Sequence, residues 1–422
     1  MKIKKLEINN FRGFGHATVE FPESNLAVFI GVNGQGKSSL LDAVAIVLNG
    51  VFNANALSGS FDDPRLKDDD IRVGEVAAEI NSEYILFEAP QRFSTHLNQK
   101  GIPYTNSSLQ KDLYQLVSSQ ENLPLIAYYR TNREINLDNA PNIPNLMGRK
   151  AAYFNAINAT LNSFFDFIEW FKIEDDSESR EIKKLQDLKY QNPRLKTVRL
   201  GLSEFLSKMG IHFQGLRPIP EDNDQVGFAN ASQKFDLYFH KGGQEFKLSQ
   251  LSHGERVLIL LVADIARRAA ILNSNLDNPL QSEGIVLIDE IELHLHPKWQ
   301  REVIPALLAT FPNIQFLLST HSPQVLSSVD NEDIFLLKEG EVLKLSSNPK
   351  GMDTNAILEE VMETPKYPKH MADLVEKLFT LVQKRQFGAA MEVRQQIVEE
   401  TSSDYPILRQ ADSMMERLKV LS

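Results

Sequence analysis

The chain has 422 residues, 42% hydrophobic and 24% charged, with a formal net charge of −11 and no cysteine. That length supports two or three domains with a full core, and the acidic balance argues against binding nucleic acid by bulk charge. The missing cysteines exclude a disulfide framework and a thiolate metal site, which fits a reducing, cytoplasmic setting. The basic opening Met1-Lys2-Ile3-Lys4-Lys5 is not followed by the apolar core of a signal peptide, and no run of about 18 apolar residues predicts a membrane span.

Residues 2–30 read as strands around a turn at Arg12-Gly13-Phe14-Gly15, with Ala17, Val19 and Phe21 alternating with polar neighbours. The apolar run Leu26–Ile30 leads into GVNGQGKSS, Gly31 to Ser39. Gly31, four residues, then Gly36-Lys37-Ser38 is the P-loop pattern. Glycines let successive N–H groups converge on one anion. Lys37 is expected to reach the β- and γ-phosphates of ATP, and Ser38 to ligate Mg²⁺. Asn33, Gly34 and Ser39 complete the candidate cradle. The following stretch, Ser39–Leu48, reads as a buried helix closed by Gly50, its positive end aimed at the anion. A chance match in a chain of this length is on the order of one per cent.

Residues 53–75 read as loop and 76–95 as strand. Leu123–Tyr129 reads as a buried strand running into Arg130-Thr131-Asn132-Arg133, and 134–149 as loop. Residues 150–215 look helical, with the aromatic cluster Phe164–Phe171 assigned to core. Within them, 181–199 carries six basic and two acidic residues, a face open either to solvent or to phosphates.

Strand alternation returns over 234–247, followed by a long apolar helix from Arg256 to about Leu272. Just before it lies Leu251-Ser252-His253-Gly254-Glu255. Ser252 and the Gly254 N–H at a helix start form a second candidate anion site. One chain does not need two sites for one γ-phosphate, whereas two chains packed head to tail do. Glu255 is counted with this group. Ile285–Glu290 reads IVLIDE, four apolar residues and two carboxylates. Beside a P-loop this is a Walker B strand, with Asp289 expected to hold Mg²⁺ and Glu290 to act as general base. His294 and His296 are assigned to the dimer-facing loop that follows rather than to zinc. His321, in Leu317-Leu318-Ser319-Thr320-His321-Ser322, lies just past a strand where a γ-phosphate sensor belongs. Helical spacing of Leu374, Leu378 and Leu381, and of Leu408, Ala411, Met415 and Leu418, predicts a small helical tail.

The P-loop, LSHGE, IVLIDE and STHS, in that order, resemble an ABC-type ATPase of the RecF/SMC-like branch. Asn10-Phe11-Arg12-Gly13-Phe14 resembles the opening motif of that branch, whose arginine, here Arg12, lies near the nucleotide. The 214 residues between Lys37 and Ser252 lack heptads, so the long coiled coil of chromosome-organising members is absent. The compact form resembles RecF and the overcoming-lysogenisation-defect ATPases. It is closer to bacterial anti-phage ATPases such as PtuA of the Septu system, through Tyr128-Tyr129, Phe167–Phe171 and the helical tail from Gly351-Met352-Asp353. His253 departs from the usual first glycine of the signature, and no Q-loop glutamine is assigned.

The resemblance implies an α/β P-loop ABC-type ATPase head with an inserted helical lobe and a small C-terminal helical domain. The corresponding expected segments are 1–95 (head), 96–233 (inserted lobe), 234–350 (head) and 351–422 (tail). It implies a cytoplasmic homodimer, or higher oligomer, joined through composite ATP sites, with no membrane contact and nucleic-acid contact open. The tail holds one histidine, His370, and no nuclease motif, and the Septu resemblance implies an HNH-type nuclease as partner chain. The competing expectation is a RecF-like DNA-binding ATPase of DNA repair.

Overall fold

The computed structural model describes residues 1–52, 65–98, 104–106, 122–131, 148–157, 162–220, 235–345, 347–362 and 367–420. Of the loops expected over 53–75 and 134–149, residues 53–64 and 134–147 lie outside these residues, as does Arg133. The chain forms two units, Met1–Gly351 and Met352–Ser422.

In the first unit, β1 (Lys2–Phe11) and β2 (Phe14–Glu20) form a hairpin. The buried residues of β1 are Ile3, Leu6, Ile8 and Phe11, and the irregular step from Ile3 to Leu6 coincides with a register shift between Ile3 and Lys5 against β4. A bulge thus keeps both side chains on the core face. β3 (Leu26–Ile30), buried throughout, runs through the glycine loop into α1 (Lys37–Phe52). β4 (Ala77–Leu86) and β5 (Ala89–Asn98) are joined by Phe87 and Glu88, both at positive φ as a two-residue hairpin turn requires. With β6 (Tyr104–Asn106) they complete an antiparallel sheet of order β2-β1-β4-β5-β6.

β7 (Leu125–Tyr129) is followed by α2 (Asn162–Leu185) and α3 (Pro193–Lys208). A small sheet comes next: β8 (Phe213–Pro220), β9 (Phe235–Lys241) and β10 (Gln244–Lys247), in the order β10-β9-β8. Its prolines, Pro218 and Pro220, sit on the edge strand, where a missing N–H costs no ladder bond. Then follow α4 (His253–Leu272), β11 (Gly284–Ile288), α5 (Pro297–Thr310), β12 (Ile314–Ser319), β13 (Ile334–Lys338) and β14 (Glu341–Lys344).

The central sheet has the order β14-β13-β3-β12-β11-β7, and only the β13–β14 pair is antiparallel. β3, β7, β11 and β12 are buried along their whole length, as continuous apolar runs in a covered parallel sheet must be. Two expectations change here. The segment 96–233, expected to be an inserted lobe, supplies β7 to this sheet, in register with β11 from Gly284↔Leu125 to Ile288↔Tyr129. Its helix α3 packs on α4 so closely that a Cβ on Gly201 would lie 3.2 Å from the Ala266 Cβ. Gly50 does not end α1, which continues to Phe52. The glycine is there because a Cβ would lie 2.3 Å from the Phe93 ring of β5.

α4 buries nearly every residue, including Asp264, Arg267 and Arg268. Burial pushes the Asp264 carboxyl up, but the two guanidinium groups outweigh it and hold the group below the usual carboxylate range. Tyr129 Oη donates to the same carboxylate at 2.8 Å, which anchors the end of β7.

The second unit is a three-helix bundle of α6 (Lys369–Gln383), α7 (Phe387–Glu400) and α8 (Pro406–Val420). Leu374, Leu378 and Val382 meet Ala390, Val393 and Ile397, and Leu408, Ala411 and Met415, one stripe per helix, with Leu381 and Leu418 at the rim. Arg394 and Asp412 tie α7 to α8 by two parallel 2.8 Å bonds.

Candidate nucleotide site

Parallel pairing fixes where the motifs end up. Ile288 is level with Leu318 of β12 and Tyr129 of β7, and Ser319 is level with Phe29 of β3. The glycine loop, the acidic pair after β11, the His321 segment and Arg130 therefore leave the same carboxyl-terminal edge of adjacent strands, where open α/β sheets form their crevices.

The loop turns at Gly31, Gly34 and Gly36, with φ of 147°, 84° and 95°. At Gly36 two constraints coincide: φ is left-handed, and a Cβ would lie 2.7 Å from Cζ of Phe14. Asn33, Gly34 and Ser38 are exposed and Ser39 half-buried. Lys37 opens α1, and its Nζ donates to the Gly31 carbonyl at 2.9 Å and to that of Val32 at 3.3 Å. Burial lowers the Lys37 pKa, while Asp289, Glu290 and Glu292 nearby oppose that shift. The lysine, curled onto its own loop, faces three carboxylates.

The segments after β11 and β12 are joined residue by residue. Ser319 Oγ donates to Asp289 Oδ1 and accepts the Glu290 N–H at 2.8 Å, and the Ile291 N–H reaches the Ser319 carbonyl at 3.1 Å. Glu290 adopts φ of 49°, a left-handed turn directly after β11. His321 Nε2 lies 4.0 Å from Glu290 Oε1, and the His321 N–H donates to Glu292 Oε1. Burial, then the Lys37 charge, hold the His321 imidazole below its ordinary pKa against Glu290 and Asp289. Burial likewise pushes the Glu292 carboxyl up. Lys37, Asp289, Glu290 and His321 thus form one cluster.

Arg12, at φ 49° in the β1–β2 turn, is held by other groups. Its Nη1 bonds Asp42 Oδ2 at 2.6 Å and its Nε bonds Asp70 Oδ1 at 2.8 Å. Asp42, buried on α1, also accepts Arg130 Nη1 at 2.7 Å and Tyr128 Oη at 3.0 Å on Oδ1. Arg130 lies over the Tyr128 ring, 4.5 Å from its centroid.

Ser252, Gly254 and Glu255 form a separate group. Ser252 caps α4 in a capping box: its Oγ accepts the Glu255 N–H at 3.3 Å and donates to Glu255 Oε2 at 2.8 Å. Glu255 Oε1 accepts Lys241 Nζ at 2.6 Å. Burial pushes Glu255 up, but Lys241 and Ser252 more than compensate and its pKa is lowered. A Cβ on Gly254 would lie 2.4 Å from the His294 carbonyl oxygen, and the His253 and His294 rings meet edge to face at 4.2 Å. The signature therefore packs on the loop after the acidic pair. The side-chain hydrogen bonds of Ser252 in the described residues run to Glu255, not to the Lys37 cluster. His296 caps α5 through Nδ1.

Sequence reading missed the roles of Asp42, Arg130, Ser319 and Glu292. The available signals were Asp42, a lone carboxylate inside an apolar helix, and Glu292, two residues past the acidic pair.

Known proteins align with this arrangement. The AAA ATPase domain model matches residues 1–326. A probable ATPase of retron Vc95 from Vibrio cholerae serotype O1 biovar El Tor is 30% identical, covering 92% of this chain and 84% of that protein. The Septu protein PtuA of Bacillus mycoides (strain KBAB4) is 26% identical over 80% of this chain and 41% of its own length. Among solved structures, the Smc head domain with an extended coiled coil, bound to the C-terminal domain of ScpA from Pyrococcus furiosus, superposes with a TM-score of 0.50 at 17% identity. It covers 82% of this chain and 97% of the Smc chain, and the likeness is one of fold. No helix among the described residues is long and apolar enough to cross a membrane. By its matched domain, its relatives and its SMC-head-like α/β fold, the chain belongs to the AAA ATPase domain family.

Proposed function

We propose that this chain binds ATP with Mg²⁺ and hydrolyses it, that two copies close head to tail around the nucleotide, and that this closure controls a nuclease carried by a partner chain in anti-phage defence. The supporting observation is the convergence of Lys37, Asp289, Glu290 and His321 at one edge of three adjacent parallel strands. Lys37 leaves the Gly31 and Val32 carbonyls for the β- and γ-phosphates, an exchange favoured by charge. Glu290 takes the proton of the attacking water, and His321, neutral at pH 7 because its pKa is lowered, contacts the γ-phosphate. Ser38 and Asp289 offer hydroxyl and carboxylate oxygens, the donor type Mg²⁺ prefers, and Ser319 fixes Asp289 in place. Bound there, Mg²⁺ offsets phosphate charge.

Among the described residues the Ser252 side chain bonds Glu255 and no member of the Lys37 cluster, which supports a composite site completed by the second chain. The retron and Septu relatives support the defence role, and the nuclease partner rests on the Septu resemblance. The competing reading, a RecF-like DNA-binding ATPase, would draw on the basic stretch, where Arg194 and Arg199 are engaged by Glu174 and Glu178 of α2 while Lys183, Lys184 and Lys189 are exposed.

The test is Ser252→Arg. It should bind ATP with normal affinity and lose hydrolysis, and mixing it with Lys37→Ala should restore part of the activity by leaving one intact site per pair. Full ATPase activity of Ser252→Arg alone would show the site complete within one chain. Purifying the chain with its genomic neighbour and assaying nucleic-acid cleavage with and without ATP tests the partner.

A further inference from the structure

Glu292 is half-buried, its Oε2 is enclosed and its carboxyl lies beside that of Glu290, a costly placement unless its acceptor atoms are used. Oε1 accepts the backbone N–H of His321. The Thr320 hydroxyl favours its charged form, but Oε2 is buried without a hydrogen bond of ordinary geometry. The bond to His321 is part of a longer seam. Ser319 is held by Asp289 and Glu290, and Ser322 Oγ donates to Gln300 Oε1 at 2.6 Å. Gln300 Nε2 in turn donates to the Leu295 carbonyl at 2.9 Å. Of these links, the Glu292 bond acts on the peptide of His321 itself, whose ring is 4.0 Å from Glu290.

We infer that Glu292 is a positioning residue for ATP hydrolysis: by accepting the His321 N–H it sets the His321 ring against Glu290, so that sensor and base address one γ-phosphate. The inference rests on the ATPase reading above. Glu292 does not touch the nucleotide, so its role is that of an acceptor at a fixed place. An uncharged acceptor of the same length should serve nearly as well, and a shorter one should not.

The experiment compares Glu292→Ala, Glu292→Asp and Glu292→Gln by steady-state ATPase kinetics, ATP affinity by calorimetry and thermal melting, with Lys37→Ala and His321→Ala as references. A displacement of about 1 Å costs roughly a hundredfold in rate. Glu292→Ala is therefore expected to lose about a hundredfold in kcat with ATP affinity within a few-fold of wild type, and Glu292→Gln to recover most of the loss. Glu292→Ala combined with His321→Ala should be no slower than His321→Ala alone. If the Ala variant melts below the assay temperature, Glu292→Asp, whose acceptor is withdrawn by one methylene, carries the same expectation. Glu292→Gln as inactive as Glu292→Ala, or losses that multiply with that of His321→Ala, overturns the positioning role. Retained ATP binding by Lys37→Ala would instead overturn the parent reading, so the two failures are distinct.

Discussion

Ser319→Ala removes one hydroxyl that serves both acidic residues after β11. Ser319 is fully buried. Its Oγ donates to Asp289 and accepts the Glu290 N–H at 2.8 Å. Leaving a buried N–H unpaired costs about 1–3 kcal/mol, and losing a bond to a charged group about 1.5–3 kcal/mol. The sum, about 2.5–6 kcal/mol, is an upper range, because Asp289 is only partly dependent on this donor and water can enter beside half-exposed Glu290. We expect about 3 kcal/mol. Both tryptophans, Trp170 and Trp299, lie in the unit Met1–Gly351, so urea unfolding followed by their fluorescence reports on that unit alone. In the ATPase assay, freeing the Glu290 peptide from Ser319 should lower kcat by roughly ten- to a hundredfold. A stability change under about 1 kcal/mol with unchanged kcat would refute the view that this hydroxyl holds the two carboxylates in place.

Glu290→Gln keeps size and removes basicity, so single-turnover hydrolysis should fall by about 10²–10⁴ while calorimetry still detects ATP binding. Gly36→Ala must hold a side chain at φ 95° and displace the Phe14 ring. With left-handed strain alone at about 1–2 kcal/mol, ATP affinity should weaken about tenfold or more in the same calorimeter. His321, its pKa lowered by burial and by Lys37, is protonated more readily in the unfolded chain. Its contribution to stability is therefore present above the ordinary value of 6.5 and is lost as pH falls below it. Thermal melts between about pH 7 and pH 5 should show a steeper decline for wild type than for His321→Ala.

What was legible in the sequence was what local rules decide. IVLIDE gives strand and acidic turn because a buried parallel strand must be continuously apolar up to the edge where polar groups can emerge. The P-loop needs glycines at particular φ values, and its spacing shows them. The α6 stripe is legible to within one residue: the helical spacing of Leu374, Leu378 and Leu381 marks the face, and Val382 is the fully buried third position. Gly50 was read as a stop because glycine commonly ends helices, and only the tertiary contact with Phe93 explains why it lies inside α1. β7 was readable as a buried strand, but not its place beside β11, since pairing across more than 150 residues leaves no periodic mark. The links from Ser319 to Asp289 and from Glu292 to His321 were invisible for the same reason: each joins residues about thirty apart through a shared strand edge.

Ser252 shows how a local rule and a longer-range role coexist in one residue. As a cap its oxygen accepts the Glu255 N–H, a use that leaves a second lone pair and the hydroxyl proton for other work. The hydroxyl now donates that proton in a hydrogen bond to Glu255 Oε2, a carboxylate also held by Lys241 through Oε1. In the proposed dimer the proton would rotate from this anion to a phosphate oxygen of the neighbouring site, exchanging one charge-assisted bond for another. Glu255 would keep Lys241 and the Ser252 N–H, at 3.2 Å, so its charge would not be stranded. The cap need not break for the signature to act. This is why a capping box in the separate chain is compatible with a second-chain phosphate contact, and why Arg at position 252, which fills the space rather than removing the acceptor alone, is the more decisive substitution.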